Sequence, residues 1–199
     1  MKEFLKKYSF IQILELVINL CRTKLIFPNA RLIRFPIDIR GEKFISIQKG
    51  FTTGVGCRLE AYPSDGQSKV LHIGNNVQIN DHVHITAMQQ VSIGNNVLMA
   101  SKIYISDCSH GSYSGNESDS NPLVPPNDRP YSIKKVIIED DVWIGEFVSI
   151  LPGVTIGKGA IIGTMSVVSK NIPEYTIAVG SPARVIKEFD FEKNRWVKV

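Results

Sequence analysis

VWIGEFVSILPGVTIGKGAIIGTMSVVSKNIPEYTIAVGSPARVIK, residues Val142 to Lys187, repeats with a period of six. Ile138, Ile144, Ile150, Ile156, Ile162 and Val168 mark the grid. Gly145, Gly157 and Gly163 each follow a grid residue, and Val142, Val148, Val154 and Ala160 stand four places after one. A helix needs apolar residues at three- and four-residue spacing and a simple strand at two, so neither fits. A six-residue period fits a parallel β-solenoid in which each hexapeptide is a short strand plus a turn, three to a triangular coil. The grid residue then packs inward on its equivalent one coil away, about 4.8 Å off. The glycines are expected to turn the corners in a backbone conformation that side chains oppose.

Trp143-Ile144-Gly145, Leu151 to Gly157, Ile162-Gly163, Val167 to Lys170 and Gly180 to Ile186 resemble the hexapeptide-repeat acyltransferases. Within that family the likeness is to the sugar O-acetyltransferase branch with the galactoside, maltose and polysaccharide enzymes. It runs from about Ile37 to Lys187. It implies a left-handed β-helix, a hand the period alone does not show, since parallel crossovers are normally right-handed.

The chain has 199 residues, enough for one domain or one domain with an appendage. Cys21, Cys57 and Cys108 are odd in number and unpaired in spacing, which points to a reducing compartment and small buried thiols. Net charge is +4; residues 1–35 hold seven basic residues against Glu3 and Glu15, a net of +5, so the remainder carries −1. The basic excess is terminal, and a nucleic-acid role for the solenoid finds no support.

Residues 1–27 read as a helix, with Ser9 and Gln12 as a capping box, an apolar stripe through Phe10, Ile13, Leu14, Val17 and Leu20, and Pro28 as its end. It is too short and polar to span a bilayer, and it lacks a small-residue cleavage site. The expectation is a cap on the first coil, with Phe10, Leu14 and Val17 in the core. Its basic flank leaves open a membrane-surface role. The division expected is 1–35 helical cap, 36–180 β-helix and 181–199 C-terminal helix and tail. The grid starts weakly with Ile47, Thr53 and Leu59, makes a turn excursion at 61–69, then holds through Ile73, Ile79, Ile85, Ile93, Met99 and Ile105. It is interrupted by an aperiodic loop, 107–134, of a kind that solenoids place on a binding face. Ser181 and Pro182 are expected to open a short helix that closes the last coil.

His110 lies at the mouth of that loop, where the resemblance implies the catalytic histidine. An imidazole suits proton removal from a sugar hydroxyl. Asp107 is a candidate to orient its ring. Asn80 matches the family's active-site asparagine, an amide that donates to acceptor or oxyanion without titrating; a corner residue is the plainer alternative. Met88 stands where the sugar acetyltransferases often carry an acid. For coenzyme A the resemblance implies Glu146, Thr164, Ser169, Lys170, Arg184 and Lys187, the cations meeting adenosine and phosphates. Glu146, Thr164 and Met165 depart from the family's small residues along the expected pantetheine groove. Trp143 is expected at a subunit contact.

The expected activity is acetyl transfer from acetyl-CoA to a saccharide hydroxyl in bacterial surface polysaccharide synthesis. It is expected to be direct, without a metal, in a cytoplasmic homotrimer with sites between subunits. Two alternatives stay open: a zinc enzyme like the γ-carbonic anhydrases, whose histidine spacing His72, His82, His84 and His110 do not reproduce, and a catalytically silent assembly module.

Overall fold

The computed structural model describes residues 8–199. The chain passes repeatedly through three sheets in a fixed cycle, each sheet forming one face of a triangular coil. The first sheet contains Ile37–Arg40, Cys57–Ala61, His84–Ala87, Tyr104–Ser106, Ser149–Ile150 and Val167–Val168. The second contains Ile45–Ile47, Leu71–Ile73, Val91–Ile93, Val136–Ile138 and Thr155–Ile156. The third contains Thr52–Thr53, Gln78–Ile79, Leu98–Met99, Trp143–Ile144, Ile161–Ile162 and Thr176–Val179. All these pairings are parallel.

The six-residue grid is the core. Ile85, Ile105, Ile150 and Val168 pair in succession on the first sheet, Ile73, Ile93, Ile138 and Ile156 on the second, and Ile79, Met99, Ile144 and Ile162 on the third. All are buried, as are Val142, Val148, Val154 and Ala160. A first rung precedes Ile37: Leu32 bridges to Thr52, and Ile33 is fully buried.

The glycines act differently from the expectation. None of Gly145, Gly157 and Gly163 has positive φ. A Cβ on Gly145 would lie 2.7 Å from the Thr164 backbone nitrogen, and one on Gly157 would lie 2.4 Å from that of Glu174. Close approach of successive coils excludes the side chain. The left-handed residue comes two places later, at Phe147, Gly159 and Met165.

The helix α1, Phe10–Ile26, carries the expected capping box, with Ser9 Oγ accepting from Gln12 N. Residues 1–7 of the expected helix lie outside the described residues. Pinning to the first rung runs through Thr23, whose buried Oγ1 accepts from Ile33 N at 2.8 Å, and through Arg22 stacked on Phe35. The core role expected of the apolar stripe is corrected: Phe10, Leu14 and Val17 are exposed at 80, 51 and 50% in the chain. No helix among the described residues is long and apolar enough to cross a membrane.

The C-terminal helix is also corrected. Arg184–Asp190 is a strand, antiparallel to Thr176–Val179 and to Arg195–Lys198. The open end of the third sheet presents unpaired backbone groups, and an added strand satisfies them where a helix would not. Val185, Lys187 and Phe189 alternate with more exposed neighbours along it, a period of two.

Candidate active site

The 107–134 loop leaves the corner where the first sheet passes to the second. It is better ordered than an aperiodic sequence suggests. Cys108–His110 and Tyr131–Ile133 form an antiparallel stem, and Arg129 braces the tip through Val124 O, Pro122 O and the Tyr113 hydroxyl.

Asp107 does not orient His110. Its carboxylate is fully buried and accepts from the backbone N–H groups of Met88, Gln89 and Gln90 at 2.7–3.1 Å. Its own carbonyl accepts from Lys134 N, the return of the loop. Asp107 therefore fixes the base of the loop and the long turn at Gln89 together.

The stem overhangs the outer face of the first sheet. Between them runs a cleft of about 630 Å³. His110 sits at its rim, its ring 4.7 Å from that of Tyr131. The floor follows successive rungs, Glu60, Thr86 and Ser106, and ends at Leu151 and Pro152. Ser169 and Lys170 occupy the same corner one rung beyond, since Ser149 pairs with Val167.

Glu60 was not singled out by the sequence. An outward-facing glutamate in a strand reads as ordinary surface charge, and only the pairing of distant rungs brings its partners to it. Its Oε2 accepts from His84 Nε2 at 2.8 Å and Thr86 Oγ1 at 3.0 Å, and its Oε1 from Arg40 Nη1 at 3.1 Å. Burial pushes the carboxyl up, but the bonds from His84 and Thr86 and the charge of Arg58 outweigh it. The pKa lies below its ordinary value. A carboxylate only accepts, so the His84 proton is assigned to Nε2.

The other sequence candidates lie at the opposite corner, where the third sheet passes to the first. Asn80 follows Gln78–Ile79, and its Oδ1 accepts from Gln78 Nε2. Glu146 and Thr164 stand in that corner on adjacent coils, Met165 N donating to Glu146 O. Arg184, paired with Val179, lies at the end of the same edge, while Lys187 pairs with Ile177. One chain thus has two half-sites: His110, Ser169 and Lys170 on one edge of the first sheet, and Asn80, Glu146, Thr164 and Arg184 on the other. Exposed Lys170 and Arg184, with half-buried Lys187, form no ion pair among the described residues. Within one chain Lys170 and Arg184 stand on opposite edges.

The histidines do not converge. His72 Nε2 lies 3.0 Å from Lys69 O, His82 occupies a left-handed corner position, and His84 is held by Glu60. No group of three or more His, Cys, Asp or Glu among the described residues is placed to hold a metal.

Residues 135–170 match the family described as bacterial transferase hexapeptide (six repeats). Across 193 residues the chain is 40% identical to WbbJ of Escherichia coli K12, named as a lipopolysaccharide biosynthesis O-acetyl transferase; the match covers 97% of this chain and 96% of that protein. The chain belongs to the hexapeptide-repeat O-acetyltransferases. Among solved structures, a galactoside acetyltransferase in complex with coenzyme A shares 34% identity at a TM-score of 0.52, over 75% of this chain and 72% of that one. A mutant of AntD, an N-acyltransferase from Bacillus cereus, superposes with a TM-score of 0.66 over 83% of each chain. At 24% identity that likeness speaks for the fold alone. These neighbours imply the left-handed coil.

Proposed function

We propose that this chain transfers the acetyl group of acetyl-CoA to a saccharide hydroxyl, in the building of a bacterial surface polysaccharide. The observation that carries the reading is the cleft. It holds His110 at its rim and runs along the coil toward Ser169 and Lys170. The full-length likeness to a lipopolysaccharide O-acetyl transferase and the coenzyme A complex of a galactoside acetyltransferase support it.

Acetyl-CoA supplies an activated acyl thioester. His110 takes the proton of the attacking hydroxyl and returns it to the departing sulfur, so no net proton is consumed. Asn80 donates toward the acyl oxygen as negative charge develops there. Lys170 of one subunit and Arg184 of its neighbour, on the edge that supplies Asn80, hold the phosphates. Because Asn80 and His110 lie on different edges of one chain, the complete site takes Asn80 from a neighbouring subunit of a trimer. Leu98, Trp143 and Ile161, paired along the outer face of the third sheet, supply an apolar contact for that assembly, with Leu98 and Trp143 exposed at 40 and 51%. The reading sets the enzyme in the cytoplasm, against the inner membrane face through α1. At 100° per residue, Phe10, Ile11, Leu14, Val17, Ile18 and Leu25 share one side of that helix, in the segment that holds the chain's basic excess. Salt-sensitive binding to anionic vesicles checks this, and no binding at low salt contradicts it.

The activity test is thermal shift and calorimetry with coenzyme A, followed by acceptor screening with thiol release as the signal. Saturable coenzyme A binding that weakens in Lys170→Ala and Arg184→Ala is expected. Absence of binding by the native chain would overturn the reading.

A further inference from the structure

The outer face of a solenoid rung asks only for side chains that tolerate water. Glu60 is different. It points outward from Cys57–Ala61, in register with Arg40 and Thr86, yet is only 7% exposed. Burying a carboxylate is costly, and replacing a buried charge by a shape-matched uncharged group is often neutral or stabilising. The bonds from His84, Thr86 and Arg40 stabilise the ionised form, but packing of the rung does not itself require an acid here.

Its setting gives a reason for one. Glu60 lies at the N-terminal end of the cleft, and Leu151 and Pro152 at the other, with His110 on the stem that leaves the coil just after Ser106, on a rung between them. The far end opens toward Ser169 and Lys170, the donor's side in the function proposed above. The fixed charges at the near end cancel: Asp38 and Glu60 face Arg40 and Arg58. Tyr62, Tyr104 and Tyr131 line the walls at 42, 39 and 49% exposure, offering flat apolar faces with a hydroxyl at the edge. Tyr62 donates to Glu60 Oε1 at 3.2 Å. Exposed, and tied to that carboxylate by one bond from a neutral donor, the Tyr62 hydroxyl can yield its place to an incoming hydroxyl.

We infer that this end of the cleft is the acceptor subsite and that it takes a neutral saccharide, held by Glu60 and Thr86 through its hydroxyls and by Tyr104 against its ring. The inference rests on the acetyl-transfer reading and adds the acceptor's class and the residues that select it. His84 and Arg40 act as positioning residues, locking Glu60 in one rotamer.

The probes are methyl glycosides of neutral hexoses, 6-deoxyhexoses and N-acetylhexosamines, set against uronic acid and sugar-phosphate counterparts. The native protein is expected to acetylate at least one neutral glycoside. Glu60→Gln, which keeps shape and removes charge, is expected to raise the KM for that glycoside by about tenfold to a hundredfold. Coenzyme A affinity and the KM for acetyl-CoA should not change. Tyr104→Ala, at a half-exposed site that makes no hydrogen bond to Glu60 and meets only the His84 ring edge-on at 5.5 Å, should act in the same direction and guards against misfolding of the first variant. Unchanged acceptor KM in both variants, acetylation of anionic glycosides alone, or no turnover of any neutral glycoside by a protein that binds coenzyme A would overturn the inference. Failure of the native chain to bind coenzyme A would overturn the acetyl-transfer reading instead.

Discussion

At Asp107 one carboxylate accepts three backbone N–H bonds and its carbonyl a fourth, so a single residue joins a turn to both ends of a long loop. Asp107→Ala takes the acceptor from three part-buried donors and is expected to cost about 2–4 kcal/mol, read as a lower urea midpoint. An unchanged midpoint would mean that the loop does not depend on this anchor. The sequence offered the loop aspartate as a partner for His110; what it could not show was that the turn after Ala87, 17 to 19 residues earlier in the chain, passes beside it. Glu60 makes a pH prediction. Its folded pKa lies below the unfolded value near 4.5, so its contribution is complete above that value and is lost as pH falls through the folded pKa. Glu60→Gln is expected to flatten the acid limb of a stability-against-pH curve, measured by urea melts. A limb of native steepness would show that other carboxylates carry it.

The elements were legible to different depths. The six-residue grid gave the inward face of nearly every rung, because one aliphatic per hexapeptide is dictated by the narrow interior and little else competes for it. The corner glycines were legible as positions but not as a cause. A positive φ and a close approach both select glycine, and only the stacking distances separate them. Gly145→Ala tests this. With a Cβ 2.7 Å from the Thr164 nitrogen the coils must part, and a loss of roughly 1–3 kcal/mol is expected. Gain of stability would fit an unstrained backbone with open space beside it. The C-terminal segment was misread because its Ser-Pro opening satisfies helix-start rules, while the unpaired edge of Thr176–Val179, a tertiary feature, decided for a strand. The capping box of α1 was read correctly, because it is local, but α1 begins at Phe10, with Tyr8 and Ser9 outside the helix expected over 1–27. Its buried side was not legible. A helix with apolar residues on most of its circumference does not reveal which of them meet the core, and here a threonine makes the deepest contact.

For the whole molecule, the division of candidate residues between two edges of the first sheet makes assembly part of the chemistry. If each site joins His110 of one subunit with Asn80 of the next, mixtures of His110→Ala and Asn80→Ala chains should recover activity that neither has alone. Random mixing gives roughly a quarter of sites with both residues intact. No recovery in trimers shown to be mixed would place both residues in a site of one chain or remove Asn80 from the chemistry. The central claim, that His110 is the base of an acetyl transfer in this cleft, is tested most directly by steady-state thiol release from acetyl-CoA with an accepted glycoside, comparing native protein with His110→Ala. The account predicts a fall of about 10² to 10⁴ in kcat with coenzyme A binding and thermal stability unchanged. Turnover within a fewfold of native would contradict it.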